Sequence, residues 1–106
     1  KIPDALGGLP RLREIHLNNN ELTGVFPGWM ATLPVLERLH LNNNMLEGEF
    51  PQDIKFPGSL GELTLEGNDV IGSIPPSVCG LKLELLSVDC SAPSPKLACS
   101  CCTCYR

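Results

Sequence analysis

The first 78 residues contain no cysteine; all six stand at or after position 79, five of them between 90 and 104. Cysteine crowded at one end points to disulfides closing that end, and so to an oxidising compartment. No apolar run approaches the roughly 18 residues that a membrane helix needs, so this segment is not expected to insert into a membrane. The opening Lys1-Ile2-Pro3 lacks the basic stretch and the apolar core of about 7–15 residues that mark a signal peptide. There is no Asn-x-Ser/Thr sequon, which excludes N-glycosylation of this segment. An excess of basic residues is missing too: 8 Lys and Arg face 12 Asp and Glu, a net charge of −4. That argues against nucleic acid, whose partners carry basic clusters to replace phosphate counterions. Nucleophile elbow, His-Glu-x-x-His and phosphate-cradling glycine loop are all absent. No enzymatic activity, cofactor or resident metal is therefore expected.

What the chain does have is a period of 24 residues. Leu12-Arg13-Glu14-Ile15-His16-Leu17-Asn18-Asn19-Asn20-Glu21-Leu22-Thr23-Gly24-Val25-Phe26-Pro27 returns at Leu36–Pro51 and again at Leu60–Pro75. Self-similarity at such a spacing decides the architecture before any single element does. Three full copies run over 9–32, 33–56 and 57–80. Residues 2–9 match 74–81 position for position, so the chain is expected to begin inside a repeat of a longer protein. A fourth copy degrades: Leu83, Leu86 and Val88 keep phase, Cys90 stands where Gly67 would, and Ser91 replaces Asn68.

The spacing L-x-x-L-x-x-L-x-L-x-x-N-x-L-x-G-x-(Phe/Ile)-Pro resembles the leucine-rich repeat, and its Leu-x-Gly-x-Ile-Pro ending resembles the plant-type subfamily. The resemblance implies a right-handed α/β solenoid, with a parallel sheet on the concave face and loops and short helical turns on the convex side. The residue types agree. Ile15-His16-Leu17, Leu39-His40-Leu41 and Leu63-Thr64-Leu65 alternate as strands do, every second side chain facing inward. Asn20, Asn44 and Asn68 stand where the chain leaves the sheet, and in the family this residue turns inward to satisfy backbone that no longer lies in a strand. Gly24, Gly48 and Gly72 relax the next bend, and Met30, Ile54 and Val78 seal the convex side. Phe56-Pro57 stands where other copies have Thr32-Leu33 and Gly80-Leu81; a slightly bulged convex loop is expected there, an inward Phe56 being the alternative. We divide the chain into a solenoid, 1–88, and a cysteine-rich C-terminal cap, 89–106.

The cysteines Cys79, Cys90, Cys99, Cys101, Cys102 and Cys104 are read as disulfides of that cap. Two other readings are open: a zinc site, since Cys99/Cys102 and Cys101/Cys104 have C-x-x-C spacing, and a redox motif. Adjacent Cys101 and Cys102 are unsuited to each other. Either Cys79 and Cys90 each reach into the tail and the two remaining cysteines pair, or Cys79 pairs with Cys90 and the tail closes on itself. The ending resembles the caps of secreted or cell-surface leucine-rich repeat proteins of diatoms and related algae, which implies an extracellular or cell-surface location.

In the family the concave sheet face is the usual place for ligands. The repeat lays out three ladders across it: Glu14, Arg38, Glu62 and Leu85; His16, His40, Thr64 and Ser87; Asn18, Asn42, Glu66 and Asp89. Glu14, His16, Asn18, Arg38, His40, Asn42, Glu62, Thr64 and Glu66 are the candidate ligand-binding residues. His16 and His40 should meet at about 5 Å, close enough for a metal or a pH response, although an exposed ladder copied with the repeat needs neither. Trp29, the only tryptophan, is expected on the convex surface as a possible contact or lying flat over a loop. The implied function is non-catalytic recognition of a protein, peptide or glycan. A structural subunit of a larger extracellular, cell-wall or adhesive assembly is the alternative, and a receptor-kinase ectodomain a third.

Overall fold

The computed structural model describes residues 8–91 and 96–104. Most of the expected opening half-repeat and the proline-rich spacer at 92–95 lie outside the described residues. In chain order the strands are β1 (Glu14–His16), β2 (Thr23–Val25), β3 (Arg38–His40), β4 (Met45–Glu49), β5 (Glu62–Thr64), β6 (Asp69–Ser73), β7 (Leu85–Val88), β8 (Leu97–Ala98) and β9 (Thr103–Cys104). A 3-10 turn at Gly28–Thr32 and a one-turn helix α1 (Pro76–Cys79) interrupt the connections between repeats.

The apolar-polar alternation of each copy produces the first sheet, ordered β1-β3-β5-β7-β9 and parallel throughout. Ile15, Leu39, Leu63 and Leu86 stand opposite one another across it and are all buried. The ladder continues past the strand ends: Leu17 N–H donates to His40 O at 2.9 Å, Leu41 N–H to Thr64 O at 2.9 Å and Leu65 N–H to Ser87 O at 2.8 Å. Stacking therefore satisfies backbone and buries leucine in one step, which a single repeat cannot do alone.

A second parallel sheet, ordered β2-β4-β6-β8, forms where sequence reasoning placed only a bend. The glycines there take positive φ, +94° at Gly24, +83° at Gly48 and +100° at Gly72. Each lets its strand turn without ending it. At Gly48 the absence of a Cβ also makes room for Val25, whose Cγ1 lies 3.1 Å from where one would stand.

The asparagine ladder is formed by Asn44 and Asn68. Asn68 Nδ2 donates to Leu41 O and Leu65 O, both at 2.9 Å, and its Oδ1 accepts Leu46 N–H at 3.0 Å. Asn44 repeats the pattern with Leu17 O, Leu41 O and Leu22 N–H. Asn20, expected to turn inward like them, is exposed, and among the described residues its side chain bonds Leu17 O and Asn18 O of its own turn.

On the convex side Met30, Ile54 and Val78 are buried as expected. The bulged loop expected at Phe56 is corrected: Phe56 is buried, its ring edge-on to Phe26 at 6.3 Å, while Phe26 packs against Phe50 at 4.8 Å. With Pro57 in place of a leucine, that repeat is short of apolar volume, and a phenylalanine one residue earlier supplies it.

The tail closes both sheets. β9 pairs with β7 and β8 pairs with β6. The bridges are Cys79–Cys101, Cys90–Cys104 and Cys99–Cys102, so Cys79 and Cys90 each reach into the tail. The asparagine ladder stops at Ser91, and Asp89 takes over: its Oδ2 accepts Gly67 N–H at 2.9 Å and Asn68 N–H at 3.4 Å. Asp89 is consequently buried, not the outward-facing end of the third ladder. No helix among the described residues is long and apolar enough to cross a membrane.

Candidate binding face

The outward side of the first sheet carries a hydrogen-bonded row across three strands. Glu14 Oε1 accepts from His16 Nε2 at 2.7 Å, and its Oε2 accepts from an Arg38 guanidinium nitrogen at 2.7 Å. Arg38 Nε lies 3.5 Å from Glu62 Oε2, and Glu62 Oε1 accepts from His40 Nε2 at 2.7 Å. The two imidazoles meet edge to face with ring centres 4.5 Å apart. One guanidinium thus serves two carboxylates, and each carboxylate orients one histidine. The His16 hydrogen bond, opposed by desolvation and aided by Arg38, holds the Glu14 carboxyl below the usual glutamate range. The Glu14 carboxylate, with Glu62 behind it, raises the Arg38 guanidinium further.

A carboxyl depressed in the fold adds stability above its unfolded pKa and loses it as pH falls through the folded value. The denaturation-midpoint difference between the native chain and Glu14→Gln is therefore expected to shrink between about pH 6 and about pH 3. A difference that stays constant over that range would remove Glu14 from the row.

The next positions are bonded sideways as well. Thr64 Oγ1 donates to Asn42 Oδ1 at 2.6 Å and Ser87 Oγ to Glu66 Oε1 at 2.7 Å. These short side chains sink between longer neighbours. Thr64 and Ser87, expected to face solvent, are 6% and 1% exposed, so neither offers a free group to a ligand. Asn18, Asn42 and Glu66 remain half-exposed. Beside the row lies a shallow hollow of about 290 Å³, lined by Glu37, Arg38, Ser59, Gly61, Glu62 and Glu84. Glu37, Ser59 and Glu84 were not among the sequence candidates. A signal was present: Gly61 stands where other repeats carry Arg13, Glu37 and Glu84, which leaves a gap in an otherwise filled column.

The family model for the leucine rich repeat matches residues 10–70. The chain belongs to the leucine-rich repeat family. A search of the curated proteins gives no match. Among solved structures, the chain is similar in fold to a plant peptide hormone receptor, RGFR1, in complex with RGF2, with a TM-score of 0.55 and 24% identity. That match covers 82% of this chain and 18% of the receptor chain, so this leucine-rich repeat segment spans about a fifth of the receptor's length.

Two sequence candidates lie away from the repeat's sheet face. Trp29, expected on the convex surface, sits in the 3-10 turn half-buried against the core, where its carbonyl accepts Thr32 Oγ1 at 2.6 Å. The cysteines offered a metal reading. The sulfurs of Cys79, Cys99 and Cys101 do converge within 4.8 Å, but each is spent in a bridge.

Proposed function

We propose that this leucine-rich repeat chain is a non-catalytic extracellular or cell-surface recognition module that binds a protein or peptide on the outward face of its first sheet. The carrying observation is the row His16–Glu14–Arg38–Glu62–His40, five polar side chains held by one another across three strands. Side chains already ordered lose little freedom when a partner arrives, which removes part of the cost of binding. The face is mixed in charge and shallow, suited to an extended segment laid across the strands more than to a small molecule in a pocket. Three disulfides support the extracellular placement. The likeness of the cap to algal secreted proteins and of the fold to a peptide hormone receptor points the same way.

Selection of a displayed random-peptide library against the disulfide-bonded chain tests this reading. The combined variant Arg38→Ala, His40→Ala, Asn42→Ala is expected to bind selected peptides at least about tenfold more weakly. Its melting temperature should fall, because Arg38 bridges Glu14 and Glu62 and Asn42 accepts the buried Thr64 hydroxyl, so binding is compared at a temperature where both chains are folded. Peptides that bind the variant and the native chain equally would sink the concave-face reading and favour the structural-subunit alternative.

A further inference from the structure

Three of the five large apolar side chains that stand most exposed among the described residues share one face: Val25 at 66%, Met45 at 51% and Ile71 at 48%. That face is the outer side of the second sheet, formed by β2, β4 and β6. It lies apart from the concave row. Alternation along the strands puts Leu46 and Val70 into the core and turns Met45, Glu47, Glu49, Asp69 and Ile71 outward. The register fixes their order. Val25 stands beside Glu47, Glu47 beside Asp69, and Glu49 beside Ile71. Apolar and carboxylate side chains are thus intermixed on the face, with Val25 and Ile71 each beside a glutamate.

The charges are unbalanced. Asp69 is neutralised by Lys96, whose Nζ lies 3.1 Å from Oδ1 and also donates to Asn68 O at 2.9 Å. Glu47 and Glu49 form no ion pair among the described residues. Single exposed apolar residues are ordinary on a protein surface. Three on a flat sheet face, interleaved with unpaired carboxylates, form a surface with a defined complement.

We propose that this second-sheet face docks a cationic amphipathic protein segment, one that alternates aliphatic side chains with lysine or arginine. Charge decides among the occupants. A second copy of this chain would set Glu47 and Glu49 against their own equivalents, and like charges brought together in an interface are repelled. An anionic membrane surface would repel the same two carboxylates. A segment that brings ammonium or guanidinium groups over Glu47 and Glu49, and aliphatic groups over Val25, Met45 and Ile71, satisfies both parts of the pattern. The leucine-rich repeat would then hold two partners at once, one on each sheet.

The probe is a synthetic peptide alternating lysine with leucine, titrated into the intact disulfide-bonded chain and followed by backbone amide shifts. Two controls accompany it: a peptide of the same composition with its lysines and leucines in separate blocks, and an alternating glutamate–leucine peptide. The expected result is perturbation confined to β2, β4 and β6, at least about tenfold weaker binding of both controls, and weakening as added salt screens the carboxylates. Val25→Ser with Met45→Ser and Ile71→Ser, and separately Glu47→Lys with Glu49→Lys, should each weaken binding about tenfold or more. Both variants should melt where the native chain does, since every altered side chain is exposed. Arg38→Ala should leave this binding unchanged. Equal affinity for the blocked or acidic peptide overturns the proposal, as do shifts that map to the concave row. Self-association or vesicle binding abolished by the same substitutions overturns it in favour of a second copy or a lipid surface.

Discussion

Asn68→Ala is expected to lower the stability of the fold by about 3–5 kcal/mol, while Asn20→Ala, one alignment position of the same repeat, changes it by no more than about 0.5 kcal/mol. The two residues share a sequence context and differ in what surrounds them. Asn68 is 3% exposed and serves three backbone groups of two repeats: Leu41 O, Leu65 O and Leu46 N–H. Alanine leaves Leu65 O and Leu46 N–H unpaired among buried leucines and Val70, while Leu41 O keeps its bond from Asn44 Nδ2. Each orphaned buried group costs about 1–3 kcal/mol, and the carbonyls, with two lone pairs each, recover part of that loss. Asn20 is exposed, its side chain bonds Leu17 O and Asn18 O of its own turn among the described residues, and water replaces those contacts. Denaturant titration of both variants with disulfides intact decides the matter. Equal losses at Asn20 and Asn68 would mean that local turn geometry, not the link between repeats, is what the asparagine supplies.

Pairwise cysteine-to-serine replacement should destabilise the chain in the order Cys79/Cys101, Cys90/Cys104, Cys99/Cys102. The bridges span 22, 14 and 3 residues along the chain. Loop-closure entropy then gives about 3.5, about 3 and about 1.5 kcal/mol. The first two have a further consequence that the third lacks. Cys79 ends α1 and fastens the convex side of the last full repeat to the tail. Cys90 follows β7 and fastens β9 beside it; β9 is two residues long and has little else to hold it there. Without that bridge β7 becomes an edge strand, and Ser87 and Val88, now 1% and 0% exposed, lose their cover. Binding of a hydrophobic dye should rise for the Cys90/Cys104 pair and stay low for Cys99/Cys102. Equal midpoints for all three pairs would show that the cap is held by packing and that its bridges are incidental.

The repeat, its phase and its parallel sheet could be read directly from residues, because each copy restates the same demand. Ile15, Leu39 and Leu63 recur at a fixed interval and all end in one column of the core. The ladders Glu14–Arg38–Glu62 and His16–His40 were legible for the same reason, equal spacing along the chain becoming adjacency across strands; that each histidine bonds a carboxylate of the other ladder was not. Legibility failed where the outcome depends on neighbours' size and not on the pattern itself. Thr64 and Ser87 occupy outward positions yet are buried, because the side chains beside them are longer. Phe56 breaks the repeat and turns inward because a volume elsewhere is empty. Asp89 turns back on Gly67 and Asn68 because no further asparagine follows. The second sheet escaped for a different reason: its strands carry a glycine at positive φ, which reads as a bend until stacking pairs it.

By itself, then, the sequence determined the period, the leucine columns, the buried asparagines of the inner repeats and the disulfide-rich end, since each follows from local spacing and residue type. Only the tertiary structure decided which polar positions stay free, which cysteines meet, and that a second face carries Val25, Met45 and Ile71 among carboxylates. Those depend on contacts between repeats about 22–24 residues apart and on how the tail folds back, where close packing and the pairing of buried polar groups choose among arrangements that spacing alone leaves equal.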